Sequence, residues 1–277
     1  MSPFIALLLG IVEGLTEFLP VSSTGHLLVA TDLLKRFGAL GTNVEAVESF
    51  DIVVQAGAIL AVAVQYRALL ADHIRGVLRG DKAAIRWFAA LALAFMPMAI
   101  LGLTFRKIIK RVLFGPAPVA VALIVGGVVM IAFEGWRQRR KATEQDGLEH
   151  VTTKRAFAIG CGQCLALIPG TSRSLSTILA GQLTGLSART AAEFSFLLGL
   201  PTLGAATLYE GFKSRHELAE HVGAVPMAIG LVTSFVVALF VIRGFIAFLG
   251  RGSLRGFGVY RIVAGVVILV LTFASHA

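Results

Sequence analysis

The chain has 277 residues, of which 56% are hydrophobic and 15% are charged, and its mean hydropathy is +0.83. An ordinary soluble domain has about 25% charged residues, so this composition excludes that class. Long apolar runs recur along the chain, and they are continuous rather than alternating with polar residues as in a membrane β-barrel. We therefore predict an all-α polytopic membrane protein.

The net charge of +9 comes mainly from short segments between the apolar runs. Such segments of membrane proteins carry basic residues that set orientation and contact anionic headgroups. Membrane lipids are therefore the expected partners of this charge, and no nucleic-acid partner is expected.

The first apolar region, residues 3–34, is interrupted by the motif EGLTEFLPVSSTGH at 13–26. Glu13 and Glu17 are four residues apart, so a helix places them on one face. An ionisable residue near the bilayer centre costs about 2.5–3.5 kcal/mol on insertion scales, and its default interpretation is functional. Two such carboxylates suit a divalent cation, or one ligand and one proton acceptor.

Pro20 is expected to end the first short helix of this region. Ser22, Ser23 and Thr24 then offer hydroxyls as the N-cap of a second helix. The unpaired N–H groups of a helix N-terminus bind phosphate readily. His26 follows Ser23 by three residues and is suited to carry a proton.

Six later runs are long enough to cross a bilayer. They are 50–66, 87–105, 116–136, 194–212, 224–249 and 257–274. Each has 17 to 26 residues, and a span needs about 20. Tyr260 and Arg261 open the last run, and we favour interfacial anchoring over contact with phosphate as their role.

A second interrupted region, 156–190, contains PGTSRS. Arg173 in this motif is suited to gripping phosphate oxygens in bidentate fashion. The backbone at Gly170 and the hydroxyls of Thr171, Ser172 and Ser174 are further phosphate-binding candidates. Non-helical backbone at membrane depth is tolerated only where it is buried or lines a wet cavity. We therefore predict that both interrupted regions are re-entrant helical hairpins.

The two interrupted regions match when Pro20 is aligned with Pro169 and Ser23 with Ser172. Each is followed by three apolar runs. Because three is an odd number, the second half must enter from the opposite side of the membrane. The hairpins of such an inverted-topology repeat meet near the midplane and share one polar pocket.

The predicted organisation is a single membrane domain, 1–277. Its first repeat covers about 1–136, a cytoplasmic linker covers 137–155, and the second repeat covers about 156–277. Lys and Arg number thirteen in the segments on the linker's side and eight on the other. The positive-inside rule therefore places both termini and the first hairpin outside.

Three classes of function remain open at this point. Acids, hydroxyls, a histidine and an arginine in one pocket fit phosphoryl chemistry. Inverted repeats with broken helices also describe secondary transporters, so a transporter or flippase of a polyprenyl phosphate lipid is the main alternative. A structural scaffold is the third, and the pattern leaves the oligomeric state open, with a homodimer as one option.

The motif at 13–26, the segments FDIVVQAGAILAV (50–62) and EFSFLLGLP (193–201), and PGTSRS together resemble the integral-membrane undecaprenyl-diphosphatases, also called bacitracin-resistance proteins. The resemblance covers most of the chain. One departure is that many members continue SRSGATI, whereas this chain has Leu175 and Ser176 in place of Gly and Ala.

The resemblance implies removal of the terminal phosphate from undecaprenyl diphosphate, which gives the monophosphate carrier for cell-wall assembly. It also implies a divalent cation, Mg²⁺ or Ca²⁺, and a bacterial inner membrane location with the site open to the periplasm. Glu17, Ser23, His26 and Arg173 are then the expected catalytic residues, and Glu13 and Glu17 the expected cation ligands. In this scheme Ser23 is the first choice of nucleophile and His26 moves the proton, and water activated by His26 or a glutamate is the alternative attacking group. The expected substrate-binding residues are Ser22, Thr24, Gly170, Thr171, Ser172, Ser174 and Thr177.

Overall fold

A computed structural model describes residues 1–38, 44–113, 115–140, 144–250 and 252–274, so residues 141–143 of the predicted linker lie outside it. The described chain is helical, and it contains no strand beyond an isolated bridge between Gln145 and Leu186. The helices are α1 Pro3–Thr16, α2 Ser23–Arg36, α3 Val44–Gln65, α4 Arg67–Leu78, α5 Lys82–Leu113, α6 Pro116–Arg140, α7 Thr153–Gln163, α8 Arg173–Leu183, α9 Ala188–Lys213, the single turn α10 Arg215–Glu217, α11 Ala224–Leu249 and α12 Arg255–Ala274.

Six of these helices are long and apolar enough to span a bilayer, which confirms the six predicted spans. They cover Glu45–Gln65, Lys82–Phe105, Pro116–Arg139, Ala188–Lys213, Ala224–Leu249 and Arg255–Ala274. Large apolar side chains point outward from them, including Leu103 at 80% exposure and Phe240 at 68%. Such faces suit lipid rather than water, so the chain is a multi-pass membrane protein.

The segment after α3 contains a helix that sequence patterning did not indicate. Residues 67–86 form a basic segment between two predicted spans, and α4 fills most of it. No residue of α4 is buried, and Arg75 pairs with Asp72 on its surface at 2.7 Å. Leu69 and Leu70 lie half-buried against the hydrophobic core, so helical propensity and local ion pairs support this helix together with a small packing contact.

The two interrupted regions each consist of two short α-helices joined at a break, and the second break begins with a 3-10 helix at Cys164–Leu167. Ser22 caps α2 and Ser172 caps α8, with φ angles of 73° and 76°. Each hydroxyl accepts from a backbone N–H three residues on, that of Gly25 or of Leu175. Because residues other than glycine rarely adopt positive φ, this shared conformation makes the two breaks structurally equivalent.

This equivalence corrects the predicted alignment of Ser23 with Ser172. The residue that matches Ser172 is Ser22, and the residue that matches Ser23 is therefore Arg173. The reason is that the second break has one more residue between its proline and its capping serine.

Each short first helix packs against a span from the other half of the chain: α1 lies on α11, and α7 lies on α5. Small residues allow the close approach, as expected between membrane helices. A Cβ added to Gly10 would lie 2.7 Å from the carbonyl oxygen of Gly230, and one added to Gly14 would lie 2.8 Å from that of Ser234. Two further pairs, α3 with α9 and α6 with α12, join the halves and bring the breaks together.

Candidate active site

The two breaks meet at three buried side chains. Glu17 Oε1 lies 3.2 Å from Arg173 Nη2, and the Ser23 hydroxyl donates to Glu17 Oε2 at 2.6 Å. Glu17, Ser23 and Arg173 are 6%, 8% and 9% exposed. The sequence prediction that the acids of one break face the arginine of the other is therefore correct for Glu17.

Local structure places each of these groups. Glu17 follows the last residue of α1, whereas Ser23 and Arg173 are the first residues of α2 and α8. Arg173 also donates from Nη1 to the carbonyl of Ser195 in α9 at 2.8 Å. Its Nε is buried with no protein partner among the described residues, so one N–H donor of the guanidinium is left for a ligand.

Hydroxyl groups of the second break hold it against the first. Ser174 donates to the carbonyl of Leu19 at 2.8 Å, and Ser172 Oγ lies 3.0 Å from Ser174 Oγ. Thr177 donates to the carbonyl of Arg173 at 2.8 Å, and its hydroxyl lies 2.6 Å from that of Ser195. In this arrangement Ser174 and Thr177 brace the site rather than face an open pocket.

Glu13 is fully buried, and neither carboxylate oxygen has a hydrogen-bond partner among the residues described. It interacts electrostatically with Glu17, Asp51 and Arg173. A bare buried carboxylate is expensive, and a bound cation is one way to satisfy it. Within the described ranges, however, no three His, Cys, Asp or Glu side chains converge on one point.

His26 has no hydrogen bond to Ser23 among those of the described residues, contrary to the expected pairing of nucleophile and proton carrier. Its Nδ1 lies 2.8 Å from the carbonyl of Ser22, and its Nε2 lies 2.5 Å from the hydroxyl of Tyr260. A carbonyl only accepts, so Nδ1 carries the proton of the neutral ring and Nε2 accepts from Tyr260. The two rings are also stacked, with centroids 5.6 Å apart.

Arg261 is fully buried, so its interpretation as an interfacial anchor is wrong. From α12 it donates to the carbonyl of Pro20 in the first break at 3.1 Å. It also donates to those of Gly170 at 2.9 Å and Thr171 at 3.1 Å in the second. The sequence did contain a signal for this role of Arg261, because an ionisable residue within an apolar run is functional by default.

The remaining predicted binding residues differ in their surroundings. Ser22 caps α2, whereas the side chain of Thr24 is exposed. Gly170 makes a close backbone approach as expected, but to α6: a Cβ there would lie 2.5 Å from the carbonyl oxygen of Val119. Thr171 is half-buried beside it.

The N-termini of α2 and α8 therefore lie beside one buried acid–arginine cluster. First-turn N–H groups and the positive ends of two helix dipoles favour an anion there. A serine hydroxyl bonded to a carboxylate lies at the same place. This set of groups can bind a phosphate and deliver an oxygen nucleophile to it.

Comparison with known proteins decides the family. The family model described as bacitracin resistance protein BacA matches residues 6–267. The chain belongs to the BacA family.

BacA relatives match the chain along nearly its full length. A protein of Sorangium cellulosum is 52% identical over 97% of this chain and 86% of its own. One of Nitrosomonas europaea is 46% identical over 98% and 94%, and one of Pseudomonas aeruginosa is 44% identical over 99% and 94%. All three are named undecaprenyl-diphosphatase, which confirms the family resemblance that the sequence motifs of this chain indicated.

Proposed function

We propose that this chain hydrolyses undecaprenyl diphosphate to undecaprenyl phosphate and inorganic phosphate, and so recycles the lipid carrier. The observation that carries the proposal is the buried contact of Ser23, Glu17 and Arg173 at two helix N-termini. Relatives at 44–52% identity bear the name of this activity, and none of those cited is named as a transporter. The flippase alternative is therefore not favoured.

We further propose that the two broken helix pairs are re-entrant hairpins of an inverted repeat. The pairing of α1 with α11 and of α7 with α5 is what a two-fold relation between the halves would produce. With the excess of Lys and Arg at the linker's end placed in the cytoplasm, α1 and α2 enter from the periplasm. The diphosphate then reaches the site from that side of the inner membrane.

The substrate's two chemical parts fit two surfaces of the molecule. The polyprenyl tail lies along the apolar exterior of the spans, where Leu103 and Phe240 typify the exposed side chains. The diphosphate lies at the N-termini of α2 and α8, where the free Nε of Arg173 donates to a phosphate oxygen.

Ser23 is the proposed nucleophile because its hydroxyl already donates to Glu17. Its oxygen bonds to the terminal phosphorus as its proton passes to Glu17, and the bridging oxygen leaves with its electron pair on the lipid monophosphate. Water then attacks the phosphoserine. Ser23 recovers its proton from Glu17, and both hydrogens of the water leave on the inorganic phosphate.

A divalent cation, Mg²⁺ or Ca²⁺, fits the residues present. The unpartnered oxygens of Glu13 would hold it together with Glu17. Two protein carboxylates suit a hard cation that takes its other ligands from substrate phosphates and water. Such an ion supplies neutralisation of phosphate charge when bound.

The testing experiment is phosphate release from undecaprenyl diphosphate by detergent-purified protein, with and without a chelator. Wild type should release phosphate, and Arg173→Ala should lower the rate by about 100- to 1,000-fold. Lipid transfer across vesicles without any phosphate release would instead support the transporter.

A further inference from the structure

Arg261 joins three separate parts of the site through backbone carbonyls. It contacts the first break at Pro20, the second at Gly170 and Thr171, and α6 at Ala122, where Nη2 donates at 3.2 Å. Pro20 and Arg261 are 241 residues apart. Ser174 also bonds to both breaks, at Leu19 and Ser172, but it lies next to the second break in the sequence, whereas Arg261 comes from α12.

The guanidinium also lacks a carboxylate partner within the described part of the chain, and its Nε has no acceptor there. A fully buried cation without a counter-charge is costly and persists where it has a function. Carbonyl dipoles satisfy most of its donors, and the planar fork fixes their directions. The three donors of lysine lie on one nitrogen, so lysine cannot reproduce the planar spacing with which the guanidinium reaches these carbonyls.

We propose that Arg261 is a positioning residue for the diphosphatase reaction. It sets the placement of the second break, and hence of Arg173, relative to Glu17 and Ser23 in the first. The proposal rests on the function proposed above. A displacement of about 1 Å between reacting groups lowers rate by about 100-fold, so a tie between the breaks has a measurable kinetic effect.

Gly126 of α6 provides the space for this guanidinium. A Cβ at that position would lie 3.0 Å from Arg261 Cζ and 3.2 Å from its Nε. Because the guanidinium is enclosed and hydrogen-bonded on several sides, it could not move aside without losing carbonyl contacts. Gly126→Ala therefore displaces the guanidinium of Arg261 without removing its charge.

The test measures kcat and KM for phosphate release by folded, detergent-purified variants. Arg261→Met and Arg261→Lys should each lower kcat by about 30-fold or more and change KM by less than about 3-fold. Gly126→Ala should lower kcat by about 10-fold.

Two matched controls accompany these variants. Gly256→Ala lies on α12, where an added Cβ meets nothing within 4 Å. Arg243→Met removes a different arginine of an apolar run, one bonded to Gln65 at 2.8 Å. Both should stay within about 2-fold of wild type, since neither touches the breaks.

A double-mutant cycle separates positioning from general destabilisation. If Arg261 places Arg173, then Arg173→Ala should cost about 10-fold less in the Arg261→Met background than in wild type. Additive effects of the two substitutions on kcat would overturn the proposal. So would a wild-type kcat for Arg261→Lys, or a kcat for Gly126→Ala equal to that of Gly256→Ala. If Arg261→Met does not fold, the lysine and glycine variants decide. A wild type without phosphate release would refute the proposed function instead.

Discussion

Glu17 and Arg173 are 156 residues apart in the sequence and form a buried ion pair at 3.2 Å. Removing two charges from water is costly unless other bonds satisfy them. Here the second oxygen of Glu17 accepts from Ser23, and Arg173 also donates to the carbonyl of Ser195. The pair therefore assembles groups from two breaks at one point, which a pair of apolar residues could not do.

Arg173→Lys should lower kcat by about 100-fold, although the charge is kept. The three donors of an ammonium lie on one nitrogen, so they cannot reproduce the planar guanidinium that reaches Glu17 and the Ser195 carbonyl through separate nitrogens and leaves Nε for phosphate. Phosphate release measures the effect. Arg189→Lys is the matched control because the side chain of Arg189, which pairs with Glu193, is 54% exposed. Equal rates for both variants would contradict a role for the fork.

Ser23→Ala should mainly lower activity, whereas Ser22→Ala should mainly lower stability. Ser23→Ala should lower kcat by about 1,000-fold or more at nearly unchanged thermal stability, because it removes the nucleophile. Ser22→Ala should destabilise by about 1 kcal/mol through loss of the α2 cap, with a smaller kinetic effect. Phosphate release and melting in detergent separate the two. Substantial activity in Ser23→Ala would transfer the attack to water.

The spans were predictable because each is a continuous run of apolar residues in one short window of sequence. The breaks were predictable for a similar reason, since proline, serine and glycine interrupt apolar runs in both. The alignment of the breaks was wrong by one residue because Ser22 and Ser172 share a backbone angle, not a distance from proline.

The partners of His26 and Arg261 were beyond the sequence. His26 lies three residues from Ser23, which suggested that they act together, yet its partner is Tyr260, 234 residues away. Arg261 lies near the start of α12, as an interfacial anchor would, and its contacts with α6 and with both breaks bury it. Such contacts depend on tertiary packing, which local patterning does not encode.

Tyr260→Phe should lower kcat by about 10-fold with little change in KM. The variant keeps the stacked ring but removes the donor that fixes the imidazole of His26. Kinetics of phosphate release across pH would measure the change. Tyr209→Phe serves as the control because that side chain is 55% exposed on α9. A wild-type rate and pH profile for Tyr260→Phe would show that the contact does not matter.

Glu13→Gln should raise the concentration of Mg²⁺ or Ca²⁺ needed for half-maximal activity by about 10-fold or more. The amide removes charge but keeps the shape of a side chain whose oxygens have no protein partner in the described structure. Titration of chelator-treated protein gives this concentration directly. An unchanged cation requirement would remove Glu13 from the proposed ligand set.

Asp146 makes the end of the linker sensitive to pH. Its Oδ1 accepts from the hydroxyls of Ser187 at 2.6 Å and Thr190 at 2.9 Å, which lowers the pKa of this carboxyl below its ordinary value. In the unfolded chain the group titrates near its ordinary pKa of about 3.9. The resulting stability is therefore complete above that pH and is lost as pH falls through the lower folded value.

Asp146→Asn should therefore lower the melting temperature in detergent at pH 7 by about 1–2 °C, a small effect because the group is largely exposed. The difference from wild type should stay constant from pH 7 to about pH 4 and shrink as pH falls further towards about 3. Thr190→Val removes one donor, so the aspartate substitution should matter less in that background. A deficit that stayed constant across this pH range would show that the asparagine disturbs packing, because only loss of the carboxylate's charge-assisted bonds depends on its titration.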